Sequence, residues 1–205
     1  ADGEQIVLLA RKLDKLQEVA AEIDANALAV ACELTSPDSV KAAFAEIART
    51  HPRLDVLINS AAIFQPFLIE EASDAQIMNG ILTNLAGPIL TARSAIPMMA
   101  AGGHIMNVSS ESVAMPFPHL LIYRATKAGL ENFSLGLNDE LKDKGIRVTV
   151  VRAGQMFGPG SSAEMEPVAT MRFMEAAAKN GLRLMERGIT AYESTTGLFR
   201  HLVDL

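Results

Sequence analysis

His104-Ile105-Met106-Asn107-Val108, then a helical run from Leu120 to Leu141, then Ile146-Arg147-Val148-Thr149-Val150-Val151, is the stretch that decides the fold. The first and last pieces are near-continuously apolar, the pattern of strands covered on both faces. Lys144-Gly145 supplies a stop for the helix between them. Strand, helix, strand is a unit whose two strands run parallel.

The same alternation extends outward in both directions. Upstream, Ile6–Ala10, Ala27–Cys32 and Leu54–Ile58 read as strands. Between the first two, Leu13, Leu16, Val19, Ala20 and Ile23 recur at helical spacing from Lys12 to about Asp24. Ser36-Pro37-Asp38 supplies an N-cap followed by proline at the first helical position, and helix runs on to about Thr50. One long helical region spans about Ser73 to Met99, and the tail from Ser161 reads as helix rich in Met and Ala. The fold class is α/β, a doubly wound parallel sheet in three αβα layers, with residues 1–205 as one domain.

Composition narrows the function. The chain has 205 residues, 49% hydrophobic and 20% charged, enough for one domain with a sizeable core. A net charge of -6 gives no footprint for nucleic acid or an anionic membrane. No apolar run approaches the ~20 residues of a membrane helix. The single cysteine, Cys32, forms no internal disulfide and fits a reducing, cytoplasmic setting.

In such sheets, ligands bind beyond the carboxyl ends of the strands. Arg11, Glu33, Asn59, Ser109-Ser110 and Gly154 follow the five strands in order. Tyr123 and Lys127, four apart in the helix after the fourth strand, share one helix face. An ammonium there is expected to pull the phenol down from its usual pKa of about 10. Such pairs also occur by chance. Ser110, thirteen residues before the tyrosine, makes this one a candidate active site.

Together these residues resemble the short-chain dehydrogenase/reductase family. The landmarks are Asn59-Ser60-Ala61-Ala62, Asn84, Ser110, Tyr123-x-x-x-Lys127 and Ala153-Gly154, in the family's order and spacing. The resemblance implies a Rossmann-like fold and hydride transfer between a nicotinamide cofactor and a carbonyl or alcohol carbon. By the same resemblance, Tyr123 is the general acid or base and Lys127 lowers its pKa and binds the nicotinamide ribose. Ser110 holds the substrate oxygen, and Asn84 bends its helix and holds a water. Asn84 beside Gly87-Pro88 also reads simply as a kink.

The cofactor contacts implied are Arg11, Lys12, Glu33, Leu34, Asn59, Ala61, Tyr123, Lys127, Ala153, Gly154 and Met156. Arg11-Lys12 offers two cations and no carboxylate where an acid would hold the ribose of NAD, so NADP(H) is expected, with NAD(H) as the alternative. On the other reading, Arg11 starts a helix and faces solvent.

Three departures qualify the match. The family's Thr-Gly-x-x-x-Gly-x-Gly turn does not occur in residues 1–205, and Ala1–Ile6 lies where the family's second strand approaches. The chain is therefore expected to be trimmed at the start, and at the end before a final strand. In the order 3-2-1-4-5-6 the absent strand lies between residues 5–10 and 54–58, so the two halves of the sheet should share no hydrogen bonds. Third, Ala153, Gly158 and Ala62 replace the family's proline, threonine and glycine.

Met156, Phe157, Met165, Met171, Phe173 and Met174 form one apolar group, with Pro116, Phe117 and Pro118 nearby. They read either as an adaptable wall for a small apolar ketone, aldehyde or alcohol, or as helical core. A homodimer or homotetramer is implied by the resemblance, with Ala125, Ala128 and Gly129 allowing close helix packing. The rival readings are a non-catalytic, cofactor-sensing or scaffold member, and an epimerase or dehydratase relative.

Overall fold

Two parallel sheets form the middle layer. In one, β1 (Val7–Ala10) pairs with β2 (Leu28–Ala31). In the other, β3 (Val56–Asn59), β4 (His104–Ser110) and β5 (Arg147–Ala153) lie in that order. The computed structural model describes residues 4–23, 26–156, 166–182, 184–186, 190 and 192–203. Among these, β1 and β3 exchange no ladder hydrogen bonds, as the strand order implies.

What unites the halves is side-chain packing. Helix α1 (Leu13–Ile23) covers β1 and β2, and α2 (Pro37–Thr50) follows β2. Val40, Phe44 and Ile47 of α2 join Val30 on one side and Leu57, Ile105 and Leu137 on the other in a single buried cluster. Each such side chain contributes roughly 1.5–3 kcal/mol by leaving water. The N-cap of α2 is Ser36, whose hydroxyl accepts from the Ser39 amide, with Pro37 in the first turn.

The long helix expected over 73–99 is broken. Helix α3 (Asp74–Ile81) starts at a Ser73/Gln76 capping box. A π-helical turn, Leu82–Ala86, follows, and α4 (Gly87–Ala95) continues from it. Asn84, 1% exposed, sits in the π turn, so the bend falls at the asparagine and the proline continues the helix beyond it. Helix α5 (Leu121–Leu141) lies on β4 and β5. Gly145, with φ of 68°, makes the left-handed turn from it into β5.

Strand β4 extends past Val108 and includes Ser109 and Ser110, which stand opposite Arg152 and Ala153. The tail holds α6 (Pro167–Lys179), capped by Glu166, and α7 (Tyr192–Val203). The expected helix start at Ser161, and Phe157, Gly158 and Met165, lie outside the described residues. No described helix is long and apolar enough to cross a membrane.

Candidate active site

Helix α5 lays Tyr123 and Lys127 against the last residues of β4, one helical turn apart. The Tyr123 hydroxyl lies beside the Ser110 side chain, which favours the ionised phenol. The Lys127 ammonium donates to the Val108 carbonyl at 2.6 Å and lies 5.7 Å from the Tyr123 ring centroid. Lys127 is 2% exposed. The three residues picked out by spacing are thus brought together at one point, at the carboxyl end of the central strand.

The electrostatics differ from the sequence expectation. Burial pushes the Tyr123 phenol above its ordinary pKa, opposed only by the Ser110 side chain. Desolvation also disfavours the Lys127 cation, lowering its pKa to about 8. Lys127 does not depress the tyrosine here, because its ammonium points at the Val108 carbonyl and meets the face of the ring. A protonated phenol beside an amine that titrates near pH 8 suits an acid backed by a proton source.

Asn84 is fixed by its amide. The Ile63 amide donates to Asn84 Oδ1 at 2.7 Å, and Asn84 Nδ2 donates to the Ile63 carbonyl at 2.9 Å. It hooks the loop after β3 onto the π turn. Beside it a crevice is lined by Ile63, Gln65, Gln76, Gly80, Ile122 and Tyr123.

The expected cofactor residues divide into two groups. Gly154 follows β5 at the same end of the sheet as Ser110; beside it Gln155, which the sequence reading did not single out, has its Oε1 atom buried without a hydrogen-bond partner. The bond to Val108 uses one of the three donors of the Lys127 ammonium. An orphaned acceptor after β5 and a buried multiple donor beside Tyr123 fit the nicotinamide and its ribose. Arg11 and Lys12 are exposed beyond β1, where a phosphate can reach them. Ala61 is exposed, and Ala153 and Met156 are half-buried near Gly154.

The remaining candidates are engaged within the protein. Asn59 Nδ2 donates to Asn107 Oδ1 at 2.9 Å and its Oδ1 accepts from Thr91 Oγ1 at 2.7 Å. Its side chain therefore ties β3 to β4 and α4 and is not directed at a ligand. Glu33 Oε1 accepts from the Thr35 amide at 3.1 Å, so this carboxylate turns into its own loop. Leu34 packs on the core and touches the position of Gly87, where an added Cβ would lie 3.1 Å from Leu34 Cβ.

Sequence reasoning missed several residues. Phe64 meets the Tyr123 ring edge-on at 5.1 Å between centroids and Phe173 at 6.0 Å. Phe117 stacks on Phe173 at 6.3 Å, and Met115 and Met174 border the group. Arg124, inside the Tyr-x-x-x-Lys unit, donates to the Ser112 carbonyl at 2.9 Å and holds the turn after Ser110. Glu131, one turn beyond Lys127, accepts from Ser109 and Arg152. Only Phe117, Phe173 and Met174 carried a signal beforehand, as part of the Met/Phe-rich groups.

Comparison with known proteins agrees with this geometry. The family model described as short chain dehydrogenase matches residues 1–166. Carbonyl reductase family member 4 of Danio rerio is 30% identical over 182 residues, 85% of this chain and 77% of that protein. The 3-oxoacyl-[acyl-carrier-protein] reductase of Bos taurus is 31% identical over 154 residues, 74% of this chain and 65% of that protein. Among solved structures, a short-chain dehydrogenase from Streptomyces avermitilis shares the fold with a TM-score of 0.82 at 24% identity, covering 100% of this chain and 76% of that one. A dehydrogenase/reductase from Sinorhizobium meliloti 1021 gives 0.72 at 26% identity, over 82% and 68%. With Tyr123, Lys127 and Ser110 gathered at the end of β4, the chain belongs to the short-chain dehydrogenase/reductase family of NAD(P)-dependent oxidoreductases.

Proposed function

We propose that the protein interconverts a small apolar ketone or aldehyde and its alcohol, with a preference for NADP(H). The observation that carries this reading is the meeting of Tyr123, Ser110 and Lys127 at one point, with Lys127 buried and Tyr123 half-buried. A nicotinamide bound beside Lys127 would supply the hydride. Ser110 donates to the carbonyl oxygen and Tyr123 gives it a proton as charge develops there. Lys127, with a pKa of about 8, is tuned to restore the proton to Tyr123 near neutral pH. In the oxidative direction the same groups act in reverse. Asn84 takes part through its main chain in the π turn, since its amide is held by Ile63.

The NADP preference rests on Arg11 and Lys12, both exposed where a 2′-phosphate would lie, because a guanidinium grips phosphate through two parallel hydrogen bonds. The substrate class rests on an apolar group in which Phe64 meets the Tyr123 ring, Phe173 meets Phe64 and Phe117 stacks on Phe173, with Met174 beside them. The names of the two reductase relatives agree with a carbonyl substrate.

Leu121, Ala125, Ala128 and Leu135 form an exposed stripe along α5 suited to a second copy of the chain, whereas Gly129 turns inward onto Leu85. A homodimer through α5, or a homotetramer containing it, is the assembly this supports. The single, buried Cys32 fits a reducing cytoplasm. NADPH consumption against a panel of apolar ketones and aldehydes tests the function. Turnover with NADPH well above that with NADH is the expected result. Cofactor binding with no turnover on any carbonyl would remove the reading.

A further inference from the structure

The catalytic pair belongs to a longer polar seam between α5 and β4. Tyr123, Lys127 and Glu131 stand at successive turns of the helix and meet Ser110, the Val108 carbonyl and Ser109. Ser134 follows, accepting from Asn107 Nδ2 at 2.8 Å and donating to the Leu130 carbonyl at 2.6 Å. Asn107 is fully buried, and Ser109 and Ser134 are each 1% exposed.

Glu131 is the charged member of this seam with partners on two strands. Its Oε1 accepts from Ser109 Oγ at 2.7 Å and from Arg152 Nε at 2.8 Å, and its Oε2 accepts from Arg152 Nη2 at 2.6 Å. Ser109 and Arg152 are register neighbours on β4 and β5. Ser109 precedes the serine that touches Tyr123, and Arg152 lies two residues before Gly154. One carboxylate therefore joins the helix bearing the acid, the strand bearing Ser110 and the strand leading to the cofactor loop.

We infer that Glu131 is a positioning residue for the reaction, setting the spacing of Tyr123 and Lys127 against Ser110 through its hold on Ser109 and Arg152. The inference rests on the proposed role of Tyr123. A half-exposed ion pair alone contributes little to stability. The Ser109 hydroxyl is different: it is buried, and loss of its acceptor leaves an unsatisfied donor beside the site. The Arg152 hydrogen bonds hold the Glu131 carboxyl below the usual carboxylate range, so the link stays charged across neutral pH.

The test is an NMR titration of protein labelled at the tyrosine ζ carbon, with the Tyr123 signal identified by its loss in Tyr123→Phe. In Glu131→Leu, the Ser110 contact that lowers the phenol pKa loosens, so the titration should move up by about half a unit or more. Against any ketone that is turned over, kcat should fall roughly ten-fold with cofactor affinity unchanged. Glu131→Gln, which keeps an oxygen to accept from Ser109 Oγ, should recover both readouts in large part. An unchanged Tyr123 titration in folded Glu131→Leu overturns the inference. Should that variant fail to fold, Ser109→Ala is read the same way, a shift supporting the inference and no shift overturning it. The titration needs no substrate, so it decides the inference even if no carbonyl is reduced.

Discussion

The α5–β4 seam buries its cation, whereas the tip of β1 holds its cations in solvent. Lys127 is 2% exposed and its pKa falls to about 8, whereas Arg11 and Lys12 stand in solvent beyond a four-residue strand. Proton transfer needs groups whose pKa values are displaced, and burial displaces them. Holding a phosphate needs charges that stay charged and can be reached, which exposure provides. The seven-residue strand β4 and the 21-residue α5 give the buried region a rigid frame. The exposed region has less around it and should tolerate change better.

Substitutions break that contrast by degrees. Tyr123→Phe removes the acid and should lower kcat about a thousand-fold or more while NADPH still binds, measurable by fluorescence titration. Activity near wild type would show that the seam is only structural.

Lys127→Met should likewise suppress turnover yet make the fold more stable at pH 7. The sign follows from the lowered folded-state pKa. The unfavourable burial of the cation is fully present below pH 8. It is relieved as pH rises from about 8 towards the unfolded value near 10.4, because the unfolded state there binds more protons. The gain at pH 7 is at most roughly 3 kcal/mol, less whatever the Val108 hydrogen bond contributes, and should fade in denaturant melts above pH 10.

Phe173→Ala leaves a cavity between Phe64 and Phe117 and should lower stability by about 3–5 kcal/mol, read from chemical denaturation. At the exposed end, Arg11→Glu should weaken NADPH binding about ten-fold and leave NADH binding nearly unaltered, as calorimetry would show. The smallest effect belongs to Arg172→Ala. It breaks an exposed bidentate pair with Glu71 at 2.8 Å and should leave the melting temperature unchanged.

The layer order, the five strands and the Ser110–Tyr123–Lys127 grouping were legible because each rests on local periodicity or fixed spacing. What escaped depends on contacts between distant segments. No local pattern pairs Glu131 with Arg152, or Asn59 with Asn107 and Thr91. The π turn at Asn84 interrupts a pattern that reads as one helix, because a single inserted residue leaves helical periodicity nearly intact. The tyrosine pKa went the other way because spacing places an ammonium near a phenol but does not say where it points. The Val108 carbonyl and the depth of burial decide that.

The central claim is hydride transfer at the α5–β4 seam with Tyr123 as the acid. The most direct measurement follows deuterium from NADPH labelled at C4 into the product of an apolar ketone, by NMR of the alcohol. Label is expected at the carbinol carbon with the wild-type protein and almost none with Tyr123→Phe. Equal labelling by both, or an alcohol free of label from the wild type, would contradict it.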